Sequence, residues 1–184
     1  MIAVRPARPD DAPGIGAVHV AAWRSAYPGI LPGDYLARLS PRRHAALYEA
    51  AIRHGAGVHV ATAADAGGGP PRVVGFVTVG AARTPGLGEG EIETLYVLDD
   101  WRERGLGRGL IRAGADTLAA AGCRSAFVWV LRDNPSRWFY EHLSGRMAAE
   151  STVQVAGHAV PQLAYVWPRI DTLRQAASSD GDLA

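Results

Sequence analysis

A short segment rich in glycine and arginine carries the first residues with recognisable chemistry. Within residues 102–109 it contains Arg102, Arg104, Gly105, Gly107, Arg108 and Gly109. Glycines such as Gly105 and Gly107 let backbone N–H groups approach an anion without a Cβ atom in the way. A helix that begins at this turn adds unpaired N–H donors and a partial positive charge. The segment therefore predicts a cradle for a pyrophosphate group.

The residue types around these glycines exclude the two commonest nucleotide-binding loops. A dinucleotide fingerprint needs a third glycine, where Leu110 stands, and an acidic residue about twenty positions further on. The nearest acidic residue, Asp116, comes too early. A phosphate-binding loop of the Walker type needs a lysine, and all 19 basic residues of this chain are arginine. Without a lysine, pyridoxal phosphate chemistry is also excluded. The alternative is a glycine-rich turn that binds nothing.

Composition narrows the class of protein further. With 184 residues, 48% of them hydrophobic, the chain has the size and content of one globular domain. A net charge of +1 predicts no nucleic-acid partner, and no apolar run reaches the roughly 20 residues that span a membrane. The single cysteine, Cys123, excludes an internal disulfide framework. The six histidines show no close ligand spacing, so no metal site is predicted. We read no export signal before Asp10 and expect a cytoplasmic protein.

The elements that must position the glycine-rich turn follow from hydrophobic periodicity. Strands are predicted at 2–5, 58–63, 73–79, 91–98, 125–131, 152–155 and 162–167, and helices at about 9–26, 41–53, 105–121 and 135–143. The loop at 64–71, rich in glycine and proline, predicts a hairpin. Strands 91–98 and 125–131 flank a helix and are expected to be parallel neighbours. We therefore expect an α/β (α+β) fold with a mixed, mostly antiparallel central sheet and helices on both faces, neither a Rossmann domain nor a barrel. Residues 1–171 are expected to form one domain, and residues 172–184 a disordered tail.

Two motifs together resemble one enzyme family. Arg102-x-x-Gly105-x-Gly107, after E-I-x-x-L-Y-V, resembles the acetyl-CoA signature of GNAT-type N-acetyltransferases. Downstream, V-W-V-L-R-D-N-P-S-R-W-F-Y-E-H-L-S-G-R is similar to the strand–helix motif of that family. The likeness covers about residues 2–168, in order. It implies the GNAT fold, in which strands 91–98 and 125–131 splay apart after a bulge.

The resemblance also implies where acetyl-CoA binds. In the family the pantetheine arm enters the gap between the splayed strands and pairs with the backbone of the first, here at Leu95, Tyr96 and Val97. The turn that holds the pyrophosphate corresponds to Arg102, Glu103, Arg104, Gly105, Leu106, Gly107, Arg108 and Gly109. Asn134 is expected to contact the cofactor, or to cap the helix that follows it.

Three residues are candidates for proton transfer by the same resemblance. Relatives place a catalytic glutamate at the position of Glu91 or of Glu93, where it removes a proton from the amine. Strand alternation predicts that both side chains share a face with Leu95 and Val97; the alternative is that one or both simply face water. Tyr140 corresponds to a tyrosine that reaches the leaving sulfur, and its alternative role is an aromatic anchor in the core.

The resemblance implies transfer of an acetyl group to a primary amine in a ternary complex. Trp23 and Tyr27 lie near the expected acceptor pocket, and the acceptor is expected to be a small molecule. Two alternatives stay open: a coenzyme A-binding regulatory module without turnover, and a protein-modifying acetyltransferase. An exposed strand edge at 152–167 offers a surface for a homodimer.

Overall fold

A seven-stranded sheet organises the computed structural model, which describes residues 2–64 and 69–178. Its strands are β1 (Ile2–Pro6), β2 (Gly57–Ala63), β3 (Arg72–Ala81), β4 (Gly90–Val97), β5 (Ala126–Leu131), β6 (Arg146–Val155) and β7 (His158–Trp167). They lie in the order β1-β2-β3-β4-β5-β7-β6. Neighbours are antiparallel except for β4 and β5, which are parallel. The predicted mixed sheet is therefore confirmed.

Helices cover both faces of the sheet. They are α1 (Ala12–Ala26), α2 (Gly33–Arg38), α3 (Pro41–Arg53), α4 (Leu106–Ala120), α5 (Arg137–His142) and α6 (Ile170–Ser178). On one face, Ile15 and Val18 of α1 pack with Phe76 of β3. On the other, Leu110 and Ile111 of α4 lie in the largest core cluster with buried valines of β3 and with α6. In the described part of the chain, no helix has the length and apolar character that crossing a membrane requires.

Local chemistry explains where α3 begins and how closely it packs. The Ser40 hydroxyl accepts a hydrogen bond from the backbone N–H of Arg43 at 3.3 Å, and Pro41 occupies the first helical position. Gly16 of α1 lies directly under this helix start. A Cβ atom at Gly16 would meet the Pro41 carbonyl oxygen at 2.3 Å, so the two helices can approach this closely only because position 16 has no side chain.

Two helices were absent from the sequence-based prediction. The six residues of α2 form fewer than two helical turns, with one buried side chain, Leu36. The disordered tail predicted from residue 172 is wrong as far as residue 178, because α6 buries Ile170, Leu173 and Ala177 against the sheet and α4. Leu173 is 0% exposed. Residues 179–184 lie outside the described residues.

The closing hairpin is longer than predicted, and only one of its strands is an edge. β6 and β7 pair from Arg146 with Val166 to Val155 with His158, around a turn at residues 156–157. β7 lies between β5 and β6, so of these two strands only β6 is an edge strand of the sheet. The first hairpin is antiparallel as predicted, and residues 65–68 of its loop lie outside the described residues.

Candidate active site

The parallel pair of strands separates soon after it forms. β4 and β5 pair only at Gly90 with Ala126, Glu91 with Phe127 and Ile92 with Val128. Beyond that point β4 pairs with β3 alone, and β5 pairs with β7. The predicted splay is thereby confirmed. It leaves one edge of β4 without a partner strand and opens a cleft of about 1420 Å³.

A β-bulge lies at the point of separation. Thr78 of β3 pairs with Thr94, and the next residue, Val79, pairs with Ile92, so Glu93 is an extra residue in β4. An extra residue shifts the alternation of side chains along the strand. Leu95 and Val97 accordingly pack with the α4 core cluster, whereas Tyr96 packs with the α1 cluster.

The bulge overturns one geometric prediction. Val79 packs in the α4 cluster, so a side chain at the next residue, Gly80, would project to the opposite, α1 face, and a Cβ atom there would lie 3.3 Å from Glu93 Oε1. Glu93 therefore does not share a face with Leu95 and Val97. Residues of β4 at and after the bulge therefore present their side chains to opposite faces of the sheet. Leu95 and Val97 face the α4 side, and Glu93 faces the α1 side.

The glycine-rich turn forms the start of α4. Gly105 has a φ of +75°, a left-handed conformation that favours glycine, and it is the residue that precedes the helix. The first helical hydrogen bond is donated by the Gly109 N–H to the Gly105 carbonyl at 3.0 Å. The N–H groups of Leu106, Gly107 and Arg108 therefore have no helical acceptor. These donors and the helix dipole fit a pyrophosphate group, as the sequence predicts.

The arginines of the turn contact neighbouring residues of the protein. Arg102 forms an ion pair with Asp99 at 2.8 Å. The Arg104 guanidinium lies 4.8 Å from the centre of the Trp101 ring. Arg108 donates to the Ala176 carbonyl of α6 at 2.6 Å, so α6, whose last residues line the cleft, is fixed to the start of α4.

Gly107 and Asn134 also have local structural roles. A Cβ atom at Gly107 would lie 3.2 Å from the Phe139 ring, so this glycine allows α5 to approach α4. Asn134 does not cap α5, because that helix begins at Arg137 after Ser136. The Asn134 side-chain oxygen instead accepts from the Ser136 N–H at 2.9 Å, and the residue is buried beside the cleft.

Tyrosine side chains meet at the floor of the cleft. Burial raises the pKa of the Tyr140 hydroxyl above its ordinary value of 10, and nearby Tyr27 adds to the shift. Burial also raises the pKa of Tyr27, which interacts with Tyr96 and Asn134. Tyr140 packs in the core against Trp167, with ring centres 6.3 Å apart. Tyr140 is thus a core anchor that also lines the cleft, and its hydroxyl keeps its proton at neutral pH.

The two candidate glutamates differ sharply in their surroundings. Glu91 is 4% exposed and accepts from Arg83 Nη2 at 2.8 Å, from its Nε at 3.1 Å and from its backbone N–H at 3.1 Å. Glu93 keeps 31% of its side chain exposed and lies 3.6 Å from Arg83 Nε. Glu91 is therefore committed to an ion pair, whereas Glu93 has oxygen atoms free to face a substrate.

Every residue that the sequence analysis assigned to the site lines this one cleft, Trp23 included. Sequence reasoning missed Arg83, which orients both glutamates, and Trp129, whose indole N–H donates to the Thr84 hydroxyl at 3.2 Å. Arg83 follows β3 in an irregular loop, and no sequence pattern marks it. Trp129 could have been found, because it lies in the strand that borders the predicted gap.

Comparison of the sequence with known families gives a match over most of the chain. Residues 20–145 match the model of the acetyltransferase (GNAT) family. The chain is also 34% identical over 175 residues to the uncharacterized N-acetyltransferase YuaI of Bacillus subtilis (strain 168), covering 95% of this chain and 97% of that protein.

Solved structures share the fold at lower sequence identity. An N-acetyltransferase from Staphylococcus aureus Mu50 superposes with a TM-score of 0.69 at 19% identity, over 92% of this chain and 99% of that one. The structure of yncA from Salmonella typhimurium, with its cofactor acetyl-CoA, gives 0.66 at 20% identity over 93% and 95%. The PaiA N-acetyltransferase of Thermoplasma acidophilum, in complex with coenzyme A, gives 0.62 at 16% identity over 89% and 98%.

Proposed function

This chain belongs to the acetyltransferase (GNAT) family, and from that premise we propose that it transfers an acetyl group from acetyl-CoA to a primary amine by direct attack in a ternary complex. One observation carries the proposal. A single cleft runs from the unpaired amides at the start of α4, past the open edge of β4, to the free carboxylate of Glu93.

Acetyl-CoA is the donor, and it supplies an acetyl thioester. The residues of this cleft fit its chemical groups. The N–H groups of Leu106, Gly107 and Arg108 suit the pyrophosphate. The unpaired edge of β4 from Glu93 to Val97 suits the amides of the pantetheine arm, because it offers backbone donors and acceptors that no neighbouring strand uses. Leu95, Tyr96, Val97 and Asn134 line the same cleft, which supports their assignment to this path.

Glu93 is the proposed base. An ammonium has no lone pair, so Glu93 takes one proton from the acceptor before the nitrogen bonds to the carbonyl carbon. The carbon–sulfur bond then breaks, and a second proton passes from the new amide nitrogen to the sulfur through the Tyr140 hydroxyl. Tyr140 suits this role because burial keeps it protonated. A backbone N–H of the open β4 edge stabilises the negative charge that develops on the carbonyl oxygen.

A covalent acetyl-enzyme has no support in this arrangement. Cys123 does not line the cleft, and burial raises the pKa of its thiol, so little of the nucleophilic thiolate is present at neutral pH. This favours direct transfer. A cytoplasmic location remains a prediction from the sequence.

The proposal is tested by thiol release from acetyl-CoA in the presence of primary amines. The wild type is expected to release thiol only when an amine is present. Glu93→Gln should lower kcat about 100-fold or more, the range that a general base contributes, with the affinity for acetyl-CoA retained. Thiol release that is equal in wild type and Glu93→Gln would contradict the assignment of the base. Binding of acetyl-CoA without release with any amine would favour the regulatory module instead.

A further inference from the structure

The α1 side of the cleft has an apolar wall built from distant parts of the chain. Tyr27, Leu31, Leu36 and Val160 form a buried cluster. Around it pack Trp23 and Ala26 of α1, Leu131 of β5, and Val153 and Val155 of β6. The cleft is lined on this side by Trp23, Tyr27, Leu31, Leu131, Val153 and Val155. Leu131 of the wall follows Val130, which packs in the α4 cluster, so the wall lies on the opposite face of the sheet from α4 and its glycine-rich turn. It therefore borders the side on which the proposed acceptor approaches Glu93.

The charges on the same side are few, and the one cation among them is already paired. Glu91 and Glu93 contribute two negative charges and Arg83 one positive charge, and Arg83 is held by both carboxylates. The other charged lining residues, Arg102, Glu103, Arg104 and Arg108, belong to the turn at the donor end. Among residues 2–64 and 69–178, this side of the cleft therefore offers no uncommitted cation.

From this wall and this charge balance we propose the class of acceptor: a primary amine on an aromatic or branched aliphatic body, with no carboxylate beside the amine. The inference rests on the proposed function. The net negative charge at Glu93 attracts an ammonium. The apolar body gains by leaving water for the wall. A carboxylate on the same molecule would lose its hydration there without gaining a cation, which is unfavourable.

Matched amines test the charge and the apolar body separately. We expect kcat/KM from thiol release to be at least 100-fold higher for 2-phenylethylamine than for phenylalanine, which differs only by its carboxylate. Phenylalaninamide, which has the added group without the charge, should fall within about tenfold of 2-phenylethylamine. Ethanolamine, which lacks the apolar body, should be at least tenfold poorer. The proposal would be overturned if kcat/KM for phenylalanine or for ethanolamine equalled that for 2-phenylethylamine.

A gain-of-function variant makes the test independent of the wild-type preference. Val155→Arg places a cation in the apolar wall, and we expect it to raise the ratio of phenylalanine to 2-phenylethylamine activity at least tenfold. Gln154→Arg is the matched control, because Gln154 is exposed and lies outside the cleft; its ratio should equal that of the wild type. An unchanged ratio in a folded Val155→Arg variant would contradict the placement of the acceptor.

A binding measurement separates failure of this inference from failure of the proposed function. Trp23 and Trp129 line the cleft, so their fluorescence can report binding of 2-phenylethylamine to the coenzyme A complex. Selective binding without thiol release would overturn the proposed function and support the acceptor class. Thiol release with the reverse preference would overturn the acceptor class and support the function. Neither binding nor release with any of the four amines would overturn both.

Discussion

Glu91 and Glu93 show how two residues that look equivalent in a sequence acquire different roles. Both lie in the strand that precedes the glycine-rich turn, but only the bulge decides which carboxylate is free. Glu91 accepts three hydrogen bonds from Arg83, whereas Glu93 is displaced by the bulge toward the α1 side of the cleft. The bulge depends on the pairing of β4 with β3, which involves residues far apart in the chain. Its position therefore could not be derived from strand alternation.

The role of Glu91 as an anchor predicts a loss of stability in Glu91→Gln. The substitution turns one oxygen that accepts from Arg83 into an N–H₂ group, so a donor then faces a donor. We expect the free energy of unfolding to fall by about 1.5–3 kcal/mol, the range for hydrogen bonds to charged groups. Urea denaturation measures it. Glu89→Gln, which removes the exposed ion pair with Arg124, is the control and should have a much smaller effect. Equal midpoints for Glu91→Gln and wild type would show that this ion pair is not structural.

His19 predicts a particular dependence of stability on pH. It is buried, lies 2.8 Å through Nδ1 from the Tyr48 hydroxyl and stacks on His44 at 3.9 Å. Burial, with a contribution from His44, lowers the pKa of His19 from 6.5 to about 3. Between these values the unfolded chain binds a proton that the folded chain does not. The free energy of unfolding should therefore fall with falling pH below 6.5, by about 1.4 kcal/mol per pH unit from this residue.

Denaturation at several pH values between 4.5 and 7.5 checks this dependence. Lowered pKa values of His44 and His59 add to the same slope, so the comparison is between the wild type and His19→Phe, which keeps an aromatic ring in the stack. In the variant, the change in the free energy of unfolding with pH should be smaller by about 1.4 kcal/mol per pH unit, the contribution of one proton. Identical slopes in the two proteins would contradict the burial of an uncharged His19.

At the scale of elements, α6 is part of the donor side of the cleft. It is bound to α4 through Arg108, and Arg174 forms an ion pair with Asp116 at 2.7 Å. Leu173→Ala should lower the free energy of unfolding by about 2–5 kcal/mol, because it removes a fully buried side chain. Thr172→Ala, at an exposed neighbouring position, should change it little. Thermal or urea unfolding of both variants tests this, and equal stabilities would mean that α6 does not contribute to the core.

The order of strands and helices around the site could be predicted from sequence because each has its own signal. Hydrophobic runs bounded by glycine and proline marked the strands, and the glycine-rich turn marked the start of α4. α6 was not predicted because it has few apolar residues, and the residues between them in the sequence are small or polar. It is helical because Leu173 and Ile170 find the surface of α4 and the sheet, which is information held in the tertiary structure.

The position of the glycine-rich turn could be predicted from the sequence, but the contacts of its glycines and arginines could be predicted only in part. Gly105 needs its left-handed conformation, as a loop that presents backbone donors requires. Gly107 is needed as much for the approach of Phe139 as for an anion. The arginines proved to be bound to Asp99, Trp101 and α6. Their side-chain partners lie on other elements, and composition alone does not identify them.

Across the whole molecule, the separation of β4 from β5 joins two chemically different sides of the cleft. Leu95 and Val97 face the α4 side, where the unpaired helix amides lie. Glu93 and the apolar wall face the α1 side. A donor and an acceptor that approached the same point of β4 from opposite faces of the sheet would meet there, as the proposed direct transfer needs.

Hydrogen–deuterium exchange of the unmodified protein, with and without acetyl-CoA, tests this account most directly. Bound acetyl-CoA should slow exchange at the backbone amides of residues 103–108 and of β4 from 93 to 97, because those groups gain acceptors or lose contact with water. The outer strand β6 from 146 to 152 should exchange at an unchanged rate. Saturating acetyl-CoA that leaves the amides of 103–108 unprotected, or that protects only segments away from the split, would contradict it.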